Sequence, residues 1–153
     1  MTSQPTVRSI SLAIALTCSL LAPSSPRAEN GEPGEVSLVQ LIANPADFAG
    51  KRVRVFGFCR LEFEGTALYL HRDDAEWGIA KNGFWLGVGW PVPESFRPLG
   101  DEYVLVEGVV DPQRKGHMGS WSGSLIEITR MQRVASRTEL DRWHRLNPPV
   151  GER

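Results

Sequence analysis

The chain has 153 residues, 41% of them apolar and 23% charged, with a formal charge of −1. Those proportions belong to an ordinary globular domain and exclude both a disordered chain and a bundle of membrane-spanning helices. With 17 basic against 18 acidic side chains, the chain also lacks the basic excess of a general nucleic-acid binder.

Residues 1–28 read as an export signal. Arg8 supplies the positive start, residues 10–22 an uncharged apolar run, and Ala22-Pro23-Ser24-Ser25-Pro26-Arg27-Ala28 a small-residue stretch with cleavage points after Ser24 or Ala28. A run of thirteen residues falls short of the roughly 18–20 that span a bilayer. A membrane anchor is therefore expected only if the signal is retained. Cys18 lacks the small residue that lipoprotein processing needs before it, since Leu16-Thr17 precede it. The 125 residues that remain suffice for one domain with a core. Their only cysteine, Cys59, precludes an internal disulfide and is expected as a buried apolar side chain. The expected location is the periplasm or beyond.

Residues 29–36, with two glycines and a proline, form a flexible lead-in. Ser37 then caps a short helix ending at Asn44-Pro45. Residues 51–63 alternate with period two: Val53, Val55, Gly57, Cys59, Leu61 and Phe63 on one face, Arg54, Phe56, Phe58, Arg60 and Glu62 on the other. Gly57 in mid-strand predicts a bulge or bend. After a turn at Glu64-Gly65, residues 66–71 return as a hairpin partner. Residues 72–83 form a charged loop with room for one helical turn, and 84–88 a third strand. Pro91, Pro93 and Pro98 make residues 90–100 a connector, and 102–110 and 119–130 are the fourth and fifth strands, with a loop over 111–118. Ser136 caps a last helix running to Arg145, before Asn147-Pro148-Pro149. The expected organisation is a mainly β, five-stranded OB-like antiparallel barrel over residues 37–134, with short N-terminal and C-terminal helices and a tail over 135–153. A five-stranded sandwich or an SH3-like barrel shares the pattern.

Ser37-Leu38-Val39-Gln40-Leu41, Asn44-Pro45 and Gly50-Lys51-Arg52-Val53-Arg54-Val55-Phe56-Gly57 together resemble the opening of small exported bacterial OB-fold proteins likened to tRNA-anticodon-binding domains. Tyr103-Val104-Leu105-Val106-Glu107-Gly108 and Gly116-His117-Met118-Gly119 look like the fourth strand and following loop of the same group. The resemblance implies an exported OB-like domain from a group without a settled activity. Its motifs mark turns and strands, so RNA binding does not carry over.

For chemistry, the densest ligand-like cluster is His71, Asp73 and Asp74, with Glu76 beside them and His117 in another loop. Imidazole and carboxylate could hold a divalent cation, and a metal-dependent envelope enzyme built on His71, Asp73, Asp74 and His117 is the alternative reading. Gly119-Ser120-Trp121-Ser122-Gly123 places tryptophan where a nucleophile elbow needs serine, and Gly87-Val88-Gly89 lacks the lysine and helix of a phosphate loop. No catalytic residue and no cofactor are assigned. OB barrels bind chains of sugars or bases on the face of strands two and three and the adjacent loops. Tyr69 and Trp85 are the candidates for that face, with Trp77, Arg114, Lys115 and His117 in the flanking loops. The expected function is a non-catalytic binding or protein-interaction module of the bacterial envelope, whose partner is a small ligand or another envelope protein; nucleic acid is disfavoured. Leu140, Trp143 and Leu146 recur at helical spacing, so the last helix either plugs the barrel and covers Phe56 or Phe58, or docks a partner.

Overall fold

A computed structural model describes residues 32–147. The export signal, its cleavage points, Cys18 and the end of the tail lie outside the described residues.

Gly34–Glu35, within the lead-in, form a two-residue strand β1 that runs parallel to the next strand, Gly34 beside Val53. Helix α1 (Leu38–Ala43) starts at a capping box: Gln40 N–H donates to Ser37 Oγ, and the Gln40 side chain accepts from Ser37 N–H. Asn44-Pro45 ends it as the pre-proline restriction requires. Five strands then follow: β2 (Arg52–Arg60), β3 (Ala67–Tyr69), β4 (Gly83–Leu86), β5 (Tyr103–Asp111) and β6 (Ser124–Arg133). They pair in the order β2-β3-β4-β6-β5, and β5 returns to β2 with Val55 opposite Val106, closing the barrel. The protein is thus mainly β, with a closed five-stranded barrel of OB-like form.

Two details differ from the expectation. The barrel is mixed rather than wholly antiparallel, because β4 and β6 run parallel, with Trp85 beside Ser124. Closing a five-membered ring leaves one pair of the same sense, since an odd number of strands cannot alternate all the way round. Of the bulge or bend expected at Gly57, the bulge is absent, since the β2–β5 register runs through Gly57 opposite Val104 without a shift. The glycine sits where β3 joins β2, and a Cβ there would lie 2.7 Å from both Leu68 Cγ and the Tyr69 carbonyl oxygen, so the close approach of β3 demands glycine.

Alternation along the strands builds two cores. Val53, Val55, Cys59, Leu68, Phe84, Leu86, Val104, Val106, Val110 and Leu125 fill the barrel, and Leu38 and Leu41 of α1 pack against the same cluster. The Cys59 thiol is free and buried, and desolvation pushes its pKa up to about 12, which fits the apolar role expected for it. A second cluster lies outside the barrel, where Phe58, Ala67, Tyr69 and Trp121 pack with Trp85 and Tyr103. Its cover is the returning segment after β3. This contains α2 (Arg72–Glu76), Ala75 and Ala80, and it leaves β3 buried on both faces.

Helix α3 (Arg137–Leu146) has a capping box of its own, formed by Ser136 and Glu139, but it buries none of its residues. The expectation that the last helix plugs the barrel or covers Phe56 or Phe58 is therefore corrected. Helix α1 takes the place in the core. Phe58 is covered by the α2 segment, by the edge of Tyr103 and by the Arg72 guanidinium 5.0 Å from its ring, and Phe56 stays exposed, stacked on Tyr103 at 5.5 Å. Salt bridges from Arg133 to Glu139 and, at 3.1 Å, to Glu102 tie the start of α3 to the barrel.

Candidate binding groove

Three connections meet over the outer face of β4. The first, residues 61–66, turns tightly: Thr66 Oγ1 donates to the Glu62 carbonyl at 2.8 Å, and Glu64 takes a left-handed backbone at φ 56°. This turn ends the alternation of β2 and throws Phe63, expected to continue the inner face, out to solvent at 64% exposure. The second connection leaves β4 through residues 87–90 and presents Trp90, 58% exposed, with its ring 5.5 Å from Phe63 at an angle of 69°.

The third, residues 112–123, begins with an Asx turn in which Asp111 Oδ1 accepts from the backbone N–H of Gln113 and Arg114. Ser124 Oγ donates to the Arg114 carbonyl and pins this loop to β6. The loop then crosses flat over Trp85 at Gly116. Here φ is +66° and a Cβ would lie 2.3 Å from the Trp85 ring, so no other residue fits without displacement. Trp121 packs beneath, its ring centroid 4.8 Å from that of Trp85. Its indole N–H is buried without a partner in good hydrogen-bond geometry. That N–H favours the ionised form of the Tyr69 hydroxyl, but burial outweighs it and the hydroxyl's pKa is raised.

Between these loops lies an open groove of about 490 Å³. Phe63, Trp85 and Trp90 provide its rings; Glu64, Thr66, Arg114 and His117 provide its polar rim. His117 Nε2 stands 3.6 Å from Glu64 Oε2, so the pair spans from the 112–123 loop to the 61–66 turn. A second hollow of about 440 Å³ adjoins on the other side of Trp90, with Leu61, Val92, Arg97 and Asp101. The groove therefore offers flat apolar surfaces edged by one guanidinium, one imidazole and one carboxylate. No nucleophile paired with a base lines it.

Of the residues singled out in the sequence, Trp85, Arg114 and His117 come together here. Tyr69 does not: it is buried in the outer cluster beneath the α2 segment. Trp77 is exposed at the end of α2 and does not line the groove. Lys115 is exposed outside it, and its carbonyl accepts from the Trp121 backbone N–H. The metal set of His71, Asp73, Asp74 and His117 is not assembled. Asp74 is a structural carboxylate that accepts from His71 N–H and, at 2.8 Å, from Asn82 Nδ2, while His117 sits in another loop beside Glu64. No group of three or more His, Cys, Asp or Glu side chains suited to a metal occurs among the described residues.

Phe63, Glu64, Thr66 and Trp90 were missed. For Phe63 and Glu64 the available signal was the turn at Glu64-Gly65, which should have ended the period-two reading before Phe63. Trp90 lies among prolines, where no periodicity tells exposed from buried.

Comparison with family models, with curated proteins and with solved structures found no match. Fold and groove together define a class: a closed five-stranded OB-like barrel with an aromatic groove between the loops that join its first and second and its fourth and fifth strands.

Proposed function

We propose that the chain is a non-catalytic binding module of the bacterial envelope and that its groove holds an oligosaccharide. One observation carries this reading: Trp85 of β4 and Phe63 and Trp90 of two separate connections converge with Arg114, His117 and Glu64 on one open groove. Its place between the 61–66 and 112–123 connections is where OB barrels receive chains of sugars or bases. Charge separates these two ligand classes. A nucleic-acid strand needs a basic track along its phosphates, whereas this rim carries Glu64 against Arg114 and His117. Sugar rings present apolar C–H faces to aromatic surfaces and hydroxyls to the polar edge, which matches both parts of the rim. Their hydroxyls can accept from Arg114 and donate to Glu64. The envelope assignment rests on the N-terminal signal pattern in the sequence.

The test is a titration of intrinsic tryptophan fluorescence with a panel of β-linked oligosaccharides and, in parallel, single-stranded oligonucleotides. A saccharide should perturb the emission of the parent chain. Trp90→Ala should weaken its binding by about 1–3 kcal/mol, on the scale of one aromatic ring stacked on one ligand unit. An oligonucleotide that binds while every saccharide fails would overturn the proposal, and so would binding that Trp90→Ala leaves unchanged.

A further inference from the structure

Helix α3 presents an apolar arc, and none of the helix's residues is buried among the described residues. At 100° per residue, Leu140, Trp143 and Leu146 fall within an arc of about 120°, which also takes in Glu139 of the first turn, held by Arg133. The three apolar side chains are 47%, 58% and 74% exposed, and every residue from 136 to 147 is exposed. The arc is bordered by Arg142 on one side and His144 and Arg137 on the other, with Arg145 on the far face. The helix does not dangle: the Ser136–Glu139 capping box and the Arg133 salt bridges to Glu139 and Glu102 hold its first turn to the end of β6.

Charge separates this end from the rest of the domain. Helix residues 137–146 carry three arginines against Glu139 and Asp141, a net +1, whereas residues 32–136 carry eleven basic and fourteen acidic side chains, a net −3. A surface that attracts the helix and repels the barrel is therefore anionic. It must also accept a tryptophan flanked by leucines and, at the borders of the arc, arginines. That is the composition of a helix lying in a membrane interface, where the indole and leucines enter the acyl boundary and arginine stems reach back to the headgroups.

We propose that α3 docks this domain onto an anionic lipid surface, lying in the interface plane with Leu140, Trp143 and Leu146 inserted. No retained export signal is needed for this contact. It is independent of the groove, which the proposal leaves open to its ligand.

The test is peptide-resolved hydrogen exchange on the purified chain, with and without vesicles of phosphatidylglycerol or of phosphatidylcholine. Phosphatidylglycerol vesicles should slow exchange across residues 137–146 by on the order of tenfold, and phosphatidylcholine vesicles should slow it far less. Trp143→Ser should remove the protection, and the double variant Arg142→Gln with Arg145→Gln should remove the preference for phosphatidylglycerol. Both variants change exposed positions, so an unchanged thermal transition of the barrel shows that folding is intact. Trp90→Ala should leave the protection as it was. Unchanged exchange on phosphatidylglycerol overturns the proposal. Equal protection on both lipids also overturns it, as does protection that grows with protein concentration without lipid, which would assign the arc to a second copy of the chain.

Discussion

Leucine to alanine at position 41 and at position 140 is one chemical change made on two helices, and the structure assigns it opposite weights. Leu41 is fully buried where α1 packs on the barrel core with Leu38, and Leu140 is about half exposed on α3. Truncating a fully buried leucine removes its transfer free energy and leaves a cavity, at a cost of about 2–5 kcal/mol. A domain of this size has about 5–15 kcal/mol of stability in total, so Leu41→Ala should remove a large share of it. Leu140→Ala deletes a side chain already half in water and leaves no enclosed void. Its cost should stay within about 0.5 kcal/mol, as for most surface positions. Urea unfolding followed by tryptophan fluorescence gives both values. The midpoint should fall markedly for Leu41→Ala and barely for Leu140→Ala, with slopes unchanged if both remain two-state. Equal losses at the two positions would refute the assignment of α1 as the helix in the core and of α3 as an outlying one.

Other outcomes follow from single features. Gly116→Ala forces a side chain into the left-handed region and against the Trp85 ring. It should cost about 2–4 kcal/mol from backbone strain and overpacking together, read as a lowered unfolding midpoint. Cys59 should resist iodoacetamide in the native chain at mildly alkaline pH and react on unfolding, because burial pushes its pKa up from the ordinary 9.0 to about 12. Because that folded-state pKa is raised, its contribution to stability is complete below about pH 9 and is lost as pH climbs from 9 toward 12. Glu139 has the opposite sign. Bonds from Ser136 N–H and Arg133 lower its pKa from 4.5 to about 2, so its capping of α3 is present above pH 4.5 and fades as pH falls toward 2. Far-UV circular dichroism in that range should show helix loss that precedes any change in barrel tryptophan emission.

Much of the architecture was legible along the chain. The alternation from Arg52 to Cys59, the near-continuous apolar run of β5 and the caps at Ser37 and Ser136 are local signals, set by strand and helix periodicity and by side-chain bonds to nearby N–H groups. The site was only partly legible. Trp85 could be placed because it alternates with Phe84 and Leu86, and Arg114 and His117 because they fall in the loop before the fifth strand. Tyr69 failed by the same logic: its outward direction was read correctly, but the α2 segment folds back with Ala75 and Ala80, six and eleven residues further on, and Trp121 packs beside it.

By itself, then, the sequence determined the five barrel strands, though it began the last at Gly119 where the structure begins it at Ser124, the caps at Ser37 and Ser136, and that a lone cysteine would be an inert part of the core. Those properties depend on neighbours within a turn or a strand pair. Tertiary structure decided which of two amphipathic helices meets the barrel, that β4 and β6 pair in parallel, which outward aromatics are covered and which stand open, and that His117 meets Glu64 rather than His71. Each is a contact between segments far apart in the chain, chosen by the competition of apolar surfaces for one enclosed volume. Helix α1 packs into that volume with two leucines; α3, with its apolar arc and its arginines, is left at the surface.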